Sequence, residues 1–504
     1  MIIDVLLHVE NGLTDDDLTF ADKYIPALLQ EKISGVSGNS RFFYSLPENY
    51  SGKLKSADGS FIRNDSNDLE FWKRLFQESS ASHMAVIKAD AAFFDPAIFT
   101  DICETHGKYL AEFTFSENLP EGFSCEIFSA ELIRQLPDIS EKTLPLDRVI
   151  KSNINQFDVE LYYREPDIRD KRLSFRSSDA RNRRIMENIY ALQKSIPQYS
   201  DIRGIIEARP EVLFTGPSYV EMEITGSCTL DCLFCYRKSL KNSRGDMDKS
   251  LFIKTLEGMR AFGLPYTMGF GGSGEPMDHP EFYAFMDLAV KEPLLEQLVI
   301  ETNGIKADIN FKSFLEKPEN SKIRVIVNNN GLDNKSYVRL HGGDHYGQVF
   351  NNIISLSGLN KDGDDRIYVQ IMKINETDEF EKEGETKTYL DKYYDFWEKN
   401  RVPIILQKQN TYFGRITDRR YSDLSPIKRI PCWHLQRDLY ILSDGSVAFC
   451  KQDIDGENSR GNIASACLPD IWNRQKEAFI ADYSGKTCSS PDCSSCDEWY
   501  TFNF

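Results

Sequence analysis

The spacing of apolar positions predicts alternating strands and helices over most of the chain. In the first third, short apolar runs such as Met84–Ala92 and Glu126–Ser129 are separated by helix-like stretches such as Pro96–Tyr109. This alternation is typical of an α/β unit. From about residue 215 to 425 the pattern is regular, with about six strand–helix repeats. Such repeats predict a parallel sheet whose crossovers are right-handed.

The regular region begins with a strand predicted at Tyr219–Thr225, which leads directly into a loop that contains three cysteines. Ligands of parallel sheets bind beyond the carboxyl ends of the strands, so we expect this loop to lie in a functional site. The remaining strands are predicted at Thr267–Phe270, Gln297–Thr302, Ile323–Asn328, Ile367–Lys373 and Pro403–Gln407, and the helices at Lys249–Phe262, Glu281–Lys291, Tyr346–Leu356 and Thr386–Lys399.

Length and charge narrow the class of protein. The 504 residues suffice for about three domains, which we predict at residues 1–205, 206–425 and 426–504. The net charge of −18 disfavours nucleic acid and anionic membranes as partners. No segment approaches the apolar length of a membrane span, and Met1–Leu7 has the pattern of a first strand and not of a signal peptide. We therefore expect a cytoplasmic protein.

Nine of the 11 cysteines follow residue 225. Disulfide frameworks belong to small secreted domains, so we expect closely spaced thiols in this chain to hold metal. Cys228, Cys232 and Cys235 have CxxxCxxC spacing, and three thiolates can hold three corners of a cubane iron–sulfur cluster while one iron stays open. Two alternatives remain: a zinc knuckle completed by His279 or a distant cysteine, and three unrelated buried thiols.

Polar turns follow three successive predicted strands after the cysteine loop. The first is rich in glycine, which lets the backbone approach a ligand closely, and it contains a glutamate that could meet a cationic amine. Each turn alone is weak evidence for a ligand site, but their occurrence after successive strands predicts one shared site. The candidate residues in these turns are Gly271, Gly272, Gly274, Glu275, Thr302, Asn303 and Asn328.

With these motifs, residues 215–425 resemble the core of radical S-adenosylmethionine enzymes. The resemblance implies an α/β fold with a partial (β/α)6 barrel and a 4Fe–4S cluster on the three loop cysteines, with Phe234 as the aromatic residue before the third. It also implies that the amine and carboxylate of S-adenosylmethionine chelate the open iron. Gly271–Glu275 would hold the methionyl amine, and Thr302 and Asn303 match the turn after the third strand.

The same resemblance implies an activity. An electron from the cluster would cleave S-adenosylmethionine, and the resulting 5′-deoxyadenosyl radical would remove hydrogen from a substrate, either a peptide or a sugar-linked small molecule. A flavodoxin or ferredoxin would supply the electron. At the fourth strand many relatives carry Ser-x-Asp-Gly, whereas this chain has Asn328-Asn329-Asn330-Gly331.

The tail has a Cx12Gx4C unit, formed by Cys432, Gly445 and Cys450, and a later group of cysteines. It resembles the SPASM and Twitch extensions, which hold auxiliary iron–sulfur clusters. Two fully cysteine-bound clusters need about eight thiolates, and the tail has six, so we expect one auxiliary 4Fe–4S cluster. A zinc ribbon is the alternative. The preferred ligands are Cys432, Cys450, Cys493 and Cys496, with Cys488 as a substitute.

The first third resembles a GT-A nucleotidyltransferase of the cytidylyltransferase type, on Ala85–Pro96, Asn118–Phe123 and Glu126–Ser129. Asp90 matches a metal-binding aspartate, but Arg176 replaces the second, and Val9–Asp17 lacks the expected glycine- and arginine-containing loop. The resemblance therefore implies a degenerate domain that recognises substrate. The whole arrangement resembles the spiro-SPASM group of radical enzymes. The alternative function is a non-catalytic zinc- or cluster-stabilised protein that recognises a nucleotide-sugar.

Overall fold

The computed structural model describes residues 2–54, 58–64, 69–136, 146–361, 363–381, 386–420, 425–485 and 491–501. The chain divides into two compact units, Met1–Leu213 and Phe214–Phe504. The boundary predicted at residue 205 falls within a helix, Tyr199–Ala208, so the first unit extends further than the sequence indicates. Among the described residues, no helix combines the length and apolar character needed to cross a membrane.

The first unit contains a seven-stranded sheet and a two-stranded hairpin. Its strands are β1 (Asp4–His8), β2 (Thr19–Phe20), β3 (Lys23–Tyr24), β4 (Phe42–Pro47), β5 (Ser60–Arg63), β6 (His83–Lys88), β7 (Phe113–Phe115), β8 (Glu126–Ser129) and β9 (Val159–Leu161). Its helices are α1 (Ile25–Ser34), α2 (Leu69–Ser79), α3 (Pro96–Tyr109), α4 (Ala130–Gln135), α5 (Leu146–Ser152), α6 (Ala180–Gln193) and α7 (Tyr199–Ala208).

The large sheet of the first unit has the order β5-β4-β1-β6-β8-β7-β9. All neighbouring pairs are parallel except those made by β8, which runs antiparallel to β6 and β7. The helix α3 has the predicted bounds because Pro96 suits its first turn and the Asp95 side chain accepts a hydrogen bond from the Ala97 N–H.

The second unit contains one nine-stranded sheet. Its strands are β10 (Tyr219–Met222), β11 (Tyr266–Phe270), β12 (Leu295–Thr302), β13 (Ile323–Asn328), β14 (Ile367–Lys373), β15 (Ile404–Lys408), β16 (Asp438–Ile441), β17 (Ser446–Ala448) and β18 (Gly461–Asn462). Its helices are α8 (Lys249–Phe262), α9 (Phe282–Val290), α10 (Ile309–Leu315), α11 (Asn334–His341), α12 (Tyr346–Ser357), α13 (Tyr389–Lys399), α14 (Trp433–Arg437) and α15 (Leu468–Tyr483).

Strands β10 to β15 lie side by side in chain order and are all parallel, with helices in each connection. This is the arrangement that the strand–helix repeats predict. The first strand is shorter than predicted: it ends at Met222, and Thr225 forms an isolated bridge to Asp246. The pattern did not predict α10 and α11, which are short and separate consecutive strands.

The tail continues the sheet of the second unit. Strand β16 pairs in parallel with β10, and β17 and β18 follow in antiparallel order. The turn between β16 and β17 contains Gly445 at φ +82, a conformation that glycine adopts without steric cost. Because β16 is bonded to β10, the stretches predicted as two separate domains share one sheet and one compact unit.

Candidate active site

A cavity opens at the carboxyl ends of the parallel strands and encloses about 1330 Å³, including its open mouth. Parallel strands bring their carboxyl ends to one edge, so turns that are distant in sequence can share a site. The cavity is lined by all the residues that the sequence assigned to the first cluster and to S-adenosylmethionine. These are Cys228, Cys232, Phe234, Cys235, Gly271, Gly272, Gly274, Glu275, Thr302, Asn303 and Asn328.

The cysteine loop is fixed by backbone hydrogen bonds to the end of α11. The Leu233 N–H donates to the Leu340 carbonyl at 2.9 Å, and the Asp231 N–H donates to the His341 carbonyl at 3.3 Å. Burial raises the pKa of the Cys228 and Cys232 thiols, so both are protonated at neutral pH unless a metal displaces the protons. Three thiols on one cavity wall fit a 4Fe–4S cluster that retains an open iron.

The two histidines near this region differ in position. His279, the fourth zinc ligand that the sequence allowed, lies outside the cavity lining: its Nε2 is 3.1 Å from the Met247 carbonyl and its Nδ1 accepts the Glu281 N–H. His341 lines the cavity, with its Nδ1 3.4 Å from the Cys232 Sγ. Within the described part of the chain, no three His, Cys, Asp or Glu side chains are grouped as ligands for a single metal ion.

The glycine-rich loop packs tightly against the chain that follows β10. A Cβ at residue 274 would lie 2.1 Å from the Thr225 carbonyl oxygen, and one at residue 272, where φ is +93, would lie 2.7 Å from the Glu223 side chain. The Glu223 carboxylate accepts hydrogen bonds from the Ser273 N–H at 3.0 Å and from Arg244 Nη2 at 2.8 Å. The buried Glu223–Arg244 pair therefore positions the loop, and neither residue was predicted from the sequence.

Glu275 joins the glycine-rich turn to the turn after β12. Its Oε1 accepts from the Thr302 hydroxyl at 2.7 Å and from the Met277 N–H at 3.1 Å, while Oε2 accepts from the Asn303 N–H at 2.6 Å. Burial raises the pKa of this carboxyl to about 7. A carboxylate has about four acceptor positions, so one remains for the amine of a ligand.

Asn303 offers the matching donor. Its Nδ2 is buried and has no hydrogen-bond partner among the residues that the structure describes, whereas its Oδ1 accepts from the Ile305 N–H at 2.9 Å. A buried amide donor without a partner costs about 1–3 kcal/mol. A ligand carboxylate would remove that cost, so the pair of Glu275 and Asn303 fits a ligand that carries an amine next to a carboxylate.

Beyond this pair, the cavity wall is polar. Gln370 Nε2 donates to Asn328 Oδ1 at 2.5 Å and to Gln407 Oε1 at 3.0 Å, which links three neighbouring strand ends. Lys451 Nζ lies 3.8 Å from Glu221 Oε2. In this group, only Asn328 was predicted from the sequence. Glu221, Gln370 and Gln407 lie in strands of the sheet and Lys451 lies in the turn after β17, and a lone Gln, Glu or Lys carries no distinctive signal in the sequence.

A second, smaller cavity lies in the tail. Its lining includes Cys432, Cys450, Cys493 and Cys496, the four preferred auxiliary ligands. Burial raises the pKa of the Cys450 thiol to about 12 and also raises the pKa values of Cys432 and Cys496. Four thiols around one cavity match the ligand set of a closed 4Fe–4S cluster. The substitute ligand, Cys488, lies outside the described residues.

The two cavities share part of their lining. Cys450 and Lys451 belong to both, so the candidate auxiliary site borders the larger cavity. Cys467 was not predicted as a ligand. It is exposed just before α15 and lines neither cavity.

The first unit contains Asp90, which matches a metal-binding aspartate in the resemblance to GT-A nucleotidyltransferases. Asp90 is fully buried, and both of its carboxylate oxygens lie 3.1 Å from Arg176 Nε. The same guanidinium donates to Glu10 Oε2 at 2.7 Å, and the Ser178 hydroxyl donates to Asp90 at 2.5 Å. A cationic side chain is therefore bound to the carboxylate that would face a metal ion.

Two family descriptions match the second unit. Residues 222–383 match the radical SAM superfamily, and residues 432–497 match SPASM, an iron–sulfur cluster-binding domain. The chain thus carries the two domains of a radical SAM enzyme with a SPASM extension. Its cofactors are S-adenosylmethionine, the 4Fe–4S cluster that binds it, and auxiliary iron–sulfur clusters.

Individual proteins show more distant similarity. An uncharacterised protein of Treponema pallidum (strain Nichols) is 27% identical over 378 residues, which is 70% of this chain and 97% of that protein. The tungsten-containing aldehyde ferredoxin oxidoreductase cofactor-modifying protein of Pyrococcus furiosus is 37% identical over 86 residues, 17% of this chain and 24% of that protein. The structure of Streptococcus suis SuiB bound to the precursor peptide SuiA aligns with a TM-score of 0.41 at 13% identity, over 64% of this chain and 82% of that one.

Proposed function

We propose that the chain binds a 4Fe–4S cluster on Cys228, Cys232 and Cys235 and cleaves S-adenosylmethionine there to start a radical reaction. The observation that carries the proposal is the shared cavity: the three thiols, the glycine-rich turn and the turn after β12 all line it. The six parallel strands β10–β15 would form a partial (β/α)6 barrel around this cavity. When bound, the cluster and S-adenosylmethionine supply the 5′-deoxyadenosyl radical that removes hydrogen from substrate.

The protein's own residues bind and orient the cosubstrate. The free acceptor position of Glu275 receives the methionyl amine, and Asn303 Nδ2 donates to the methionyl carboxylate. Glu223 and Arg244 keep the glycine-rich loop against the cavity wall. Because these donors and acceptors are buried and fixed in advance, little reorganisation is needed when the ligand binds.

The substrate, a peptide or a sugar-linked small molecule, would occupy the polar part of the cavity near Glu221, Glu301 and Lys451. Amide side chains from Gln370 and Gln407 both donate and accept, which suits hydroxyl and amide groups. A flavodoxin- or ferredoxin-type protein would deliver the electron, in the cytoplasm, where thiols remain reduced.

We further propose one auxiliary 4Fe–4S cluster, held by Cys432, Cys450, Cys493 and Cys496. Four cysteine ligands leave no open iron, so this cluster would transfer electrons and not bind substrate. The shared lining at Cys450 supports this role because it brings the auxiliary site beside the substrate space.

In the first unit we propose a degenerate nucleotidyltransferase-like domain that recognises substrate without transferring a nucleotidyl group. The Arg176–Asp90 contact supports this proposal, since divalent-cation sites need free carboxylate oxygens and a guanidinium already engages those of Asp90. The domain would then select a nucleotide- or sugar-linked part of the substrate.

The test is anaerobic reconstitution with iron and sulfide, followed by reduction in the presence of S-adenosylmethionine. We expect a brown protein that forms 5′-deoxyadenosine, and a Cys235→Ala variant that forms none above background. Cys103→Ser serves as the matched control because Cys103 is also partly buried but lies in the first unit. A colourless, zinc-loaded protein without cleavage would favour the alternative, a binding protein for nucleotide-sugars.

A further inference from the structure

The histidine beside the cysteine loop has a fixed place in the fold. His341 ends α11 and is 1% exposed. Its ring stacks on Tyr337 at 4.6 Å between centroids and lies nearly perpendicular to the Phe234 ring at 5.6 Å. The next residue, Gly342, has φ +75, and a Cβ there would lie 2.8 Å from the Asp231 carbonyl oxygen. The helix end and the cysteine loop therefore pack directly against each other.

The hydrogen bonds of His341 determine which ring nitrogen carries the proton. The Asn330 backbone N–H lies 2.9 Å from His341 Nε2. A backbone N–H only donates, so Nε2 must accept and cannot carry a proton. The proton of the neutral ring is then on Nδ1, and that atom is 3.4 Å from the Cys232 Sγ. The contact is consequently an N–H···S hydrogen bond with the cysteine sulfur as acceptor.

A backbone donor serves the third cysteine of the loop. The Arg237 N–H lies 3.5 Å from the Cys235 Sγ. Only a substitution by proline removes a backbone N–H. The donor to Cys232 is a side chain, so it can be exchanged. Hydrogen bonds to the sulfurs of an iron–sulfur cluster stabilise the more negative, reduced state and raise the reduction potential.

We propose that His341 is a positioning residue for the cluster ligand Cys232. The Nδ1–H of His341 orients the Cys232 thiolate and raises the midpoint potential of the cluster. This inference rests on the proposed function, because it needs a cluster on the three-cysteine loop. The stacking on Tyr337 and the bond from Asn330 fix the ring plane, so the donor points at the sulfur before any cofactor binds.

The experiment compares reconstituted full-length His341→Phe with the native chain by redox titration and pulsed EPR of the reduced cluster. We expect the variant to have a lower midpoint potential and to lose one exchangeable proton coupling that the native cluster shows. His341→Asn places an amide N–H near the position of Nδ1, so it should retain the coupling and part of the potential. His279→Phe removes another buried histidine from the same unit and should leave both properties unchanged.

The outcomes separate this inference from the proposed function. If the cluster assembles but His341→Phe has the native potential and the native proton coupling, the inference is wrong and the function stands. A strong nitrogen coupling that marks Nδ1 as an iron ligand would also overturn it. If no cluster assembles on the native chain, the proposed function itself fails.

Discussion

At the residue scale, the protonation of Glu275 predicts a pH dependence of cosubstrate binding. Burial raises the pKa of its carboxyl to about 7, whereas a bound amine favours the ionised form, so below pH 7 binding must release a proton. We expect S-adenosylmethionine affinity to fall by up to about tenfold per unit below pH 7. Protonation of the ligand's α-amino group, which must be neutral to bind iron, adds a second acid-side decline that begins below about pH 8.

Glu275→Gln is the matched variant because it keeps the shape of the side chain and cannot ionise. It should bind S-adenosylmethionine more weakly at pH 7.5 and show a shallower decline on the acid side, because only the ligand's amine then still gains a proton. Calorimetry of the reconstituted protein from pH 5.5 to 8.5 measures this. An identical acid-side decline in the variant would show that another group controls binding.

In the first unit, the ion pair between Arg176 and Asp90 predicts how a substitution of Arg176 changes stability. Arg176→Ala would leave the buried Asp90 carboxylate without its cation, and breaking a buried pair costs about 3–5 kcal/mol. Arg169→Ala is the control, since its pair with Asp167 is exposed and worth about 0–1 kcal/mol. Chemical denaturation measures both free energies of unfolding. Equal losses of unfolding free energy in the two variants would contradict a structural role for Arg176. In a separate assay, release of pyrophosphate from a nucleoside triphosphate would contradict the proposal that the domain is degenerate.

At the scale of elements, the glycine-rich loop is defined by its distance from the chain after β10. Gly274→Ala places a Cβ 2.1 Å from a backbone oxygen, whereas Gly271→Ala meets no atom nearer than 3.6 Å. We expect Gly274→Ala to displace the loop, to destabilise the protein by about 1–3 kcal/mol, and to weaken S-adenosylmethionine binding at least tenfold. Gly271→Ala should keep native stability. Thermal unfolding and calorimetry measure both, and equal behaviour of the two variants would refute the packing argument.

The same scale shows what sequence patterns can predict. Strands such as β13 and β14 and the helix α8 have their predicted bounds because their apolar spacing is regular and turns flank them. The polar turns could be placed in one site because parallel strands align their carboxyl ends. The pairing of β16 with β10 could not be predicted, since the sequence of a four-residue strand does not indicate which strand it pairs with. For the same reason His341, Arg244 and Lys451 were missed: each reaches the site through tertiary contacts alone.

At the scale of the whole molecule, the two cysteine sites predict two separable cofactors. Cys450→Ala should lower the iron content by about four atoms per chain if the auxiliary cluster is a cysteine-bound 4Fe–4S centre. The cluster on the three-cysteine loop should remain and still respond to S-adenosylmethionine. Cys467→Ala is the control, because Cys467 lines neither cavity. Iron analysis with EPR measures both, and an unchanged iron content in Cys450→Ala would remove Cys450 from the ligand set.

One iron that binds the cosubstrate and no side chain is central to the proposed function. Pulsed EPR of the reduced native protein with S-adenosylmethionine labelled with ¹⁵N at its amine and ¹⁷O at its carboxylate tests this directly. We predict hyperfine couplings from both labels, and their loss in Cys235→Ala. A reduced cluster whose spectrum shows no coupling to either label, at saturating S-adenosylmethionine, would contradict the account.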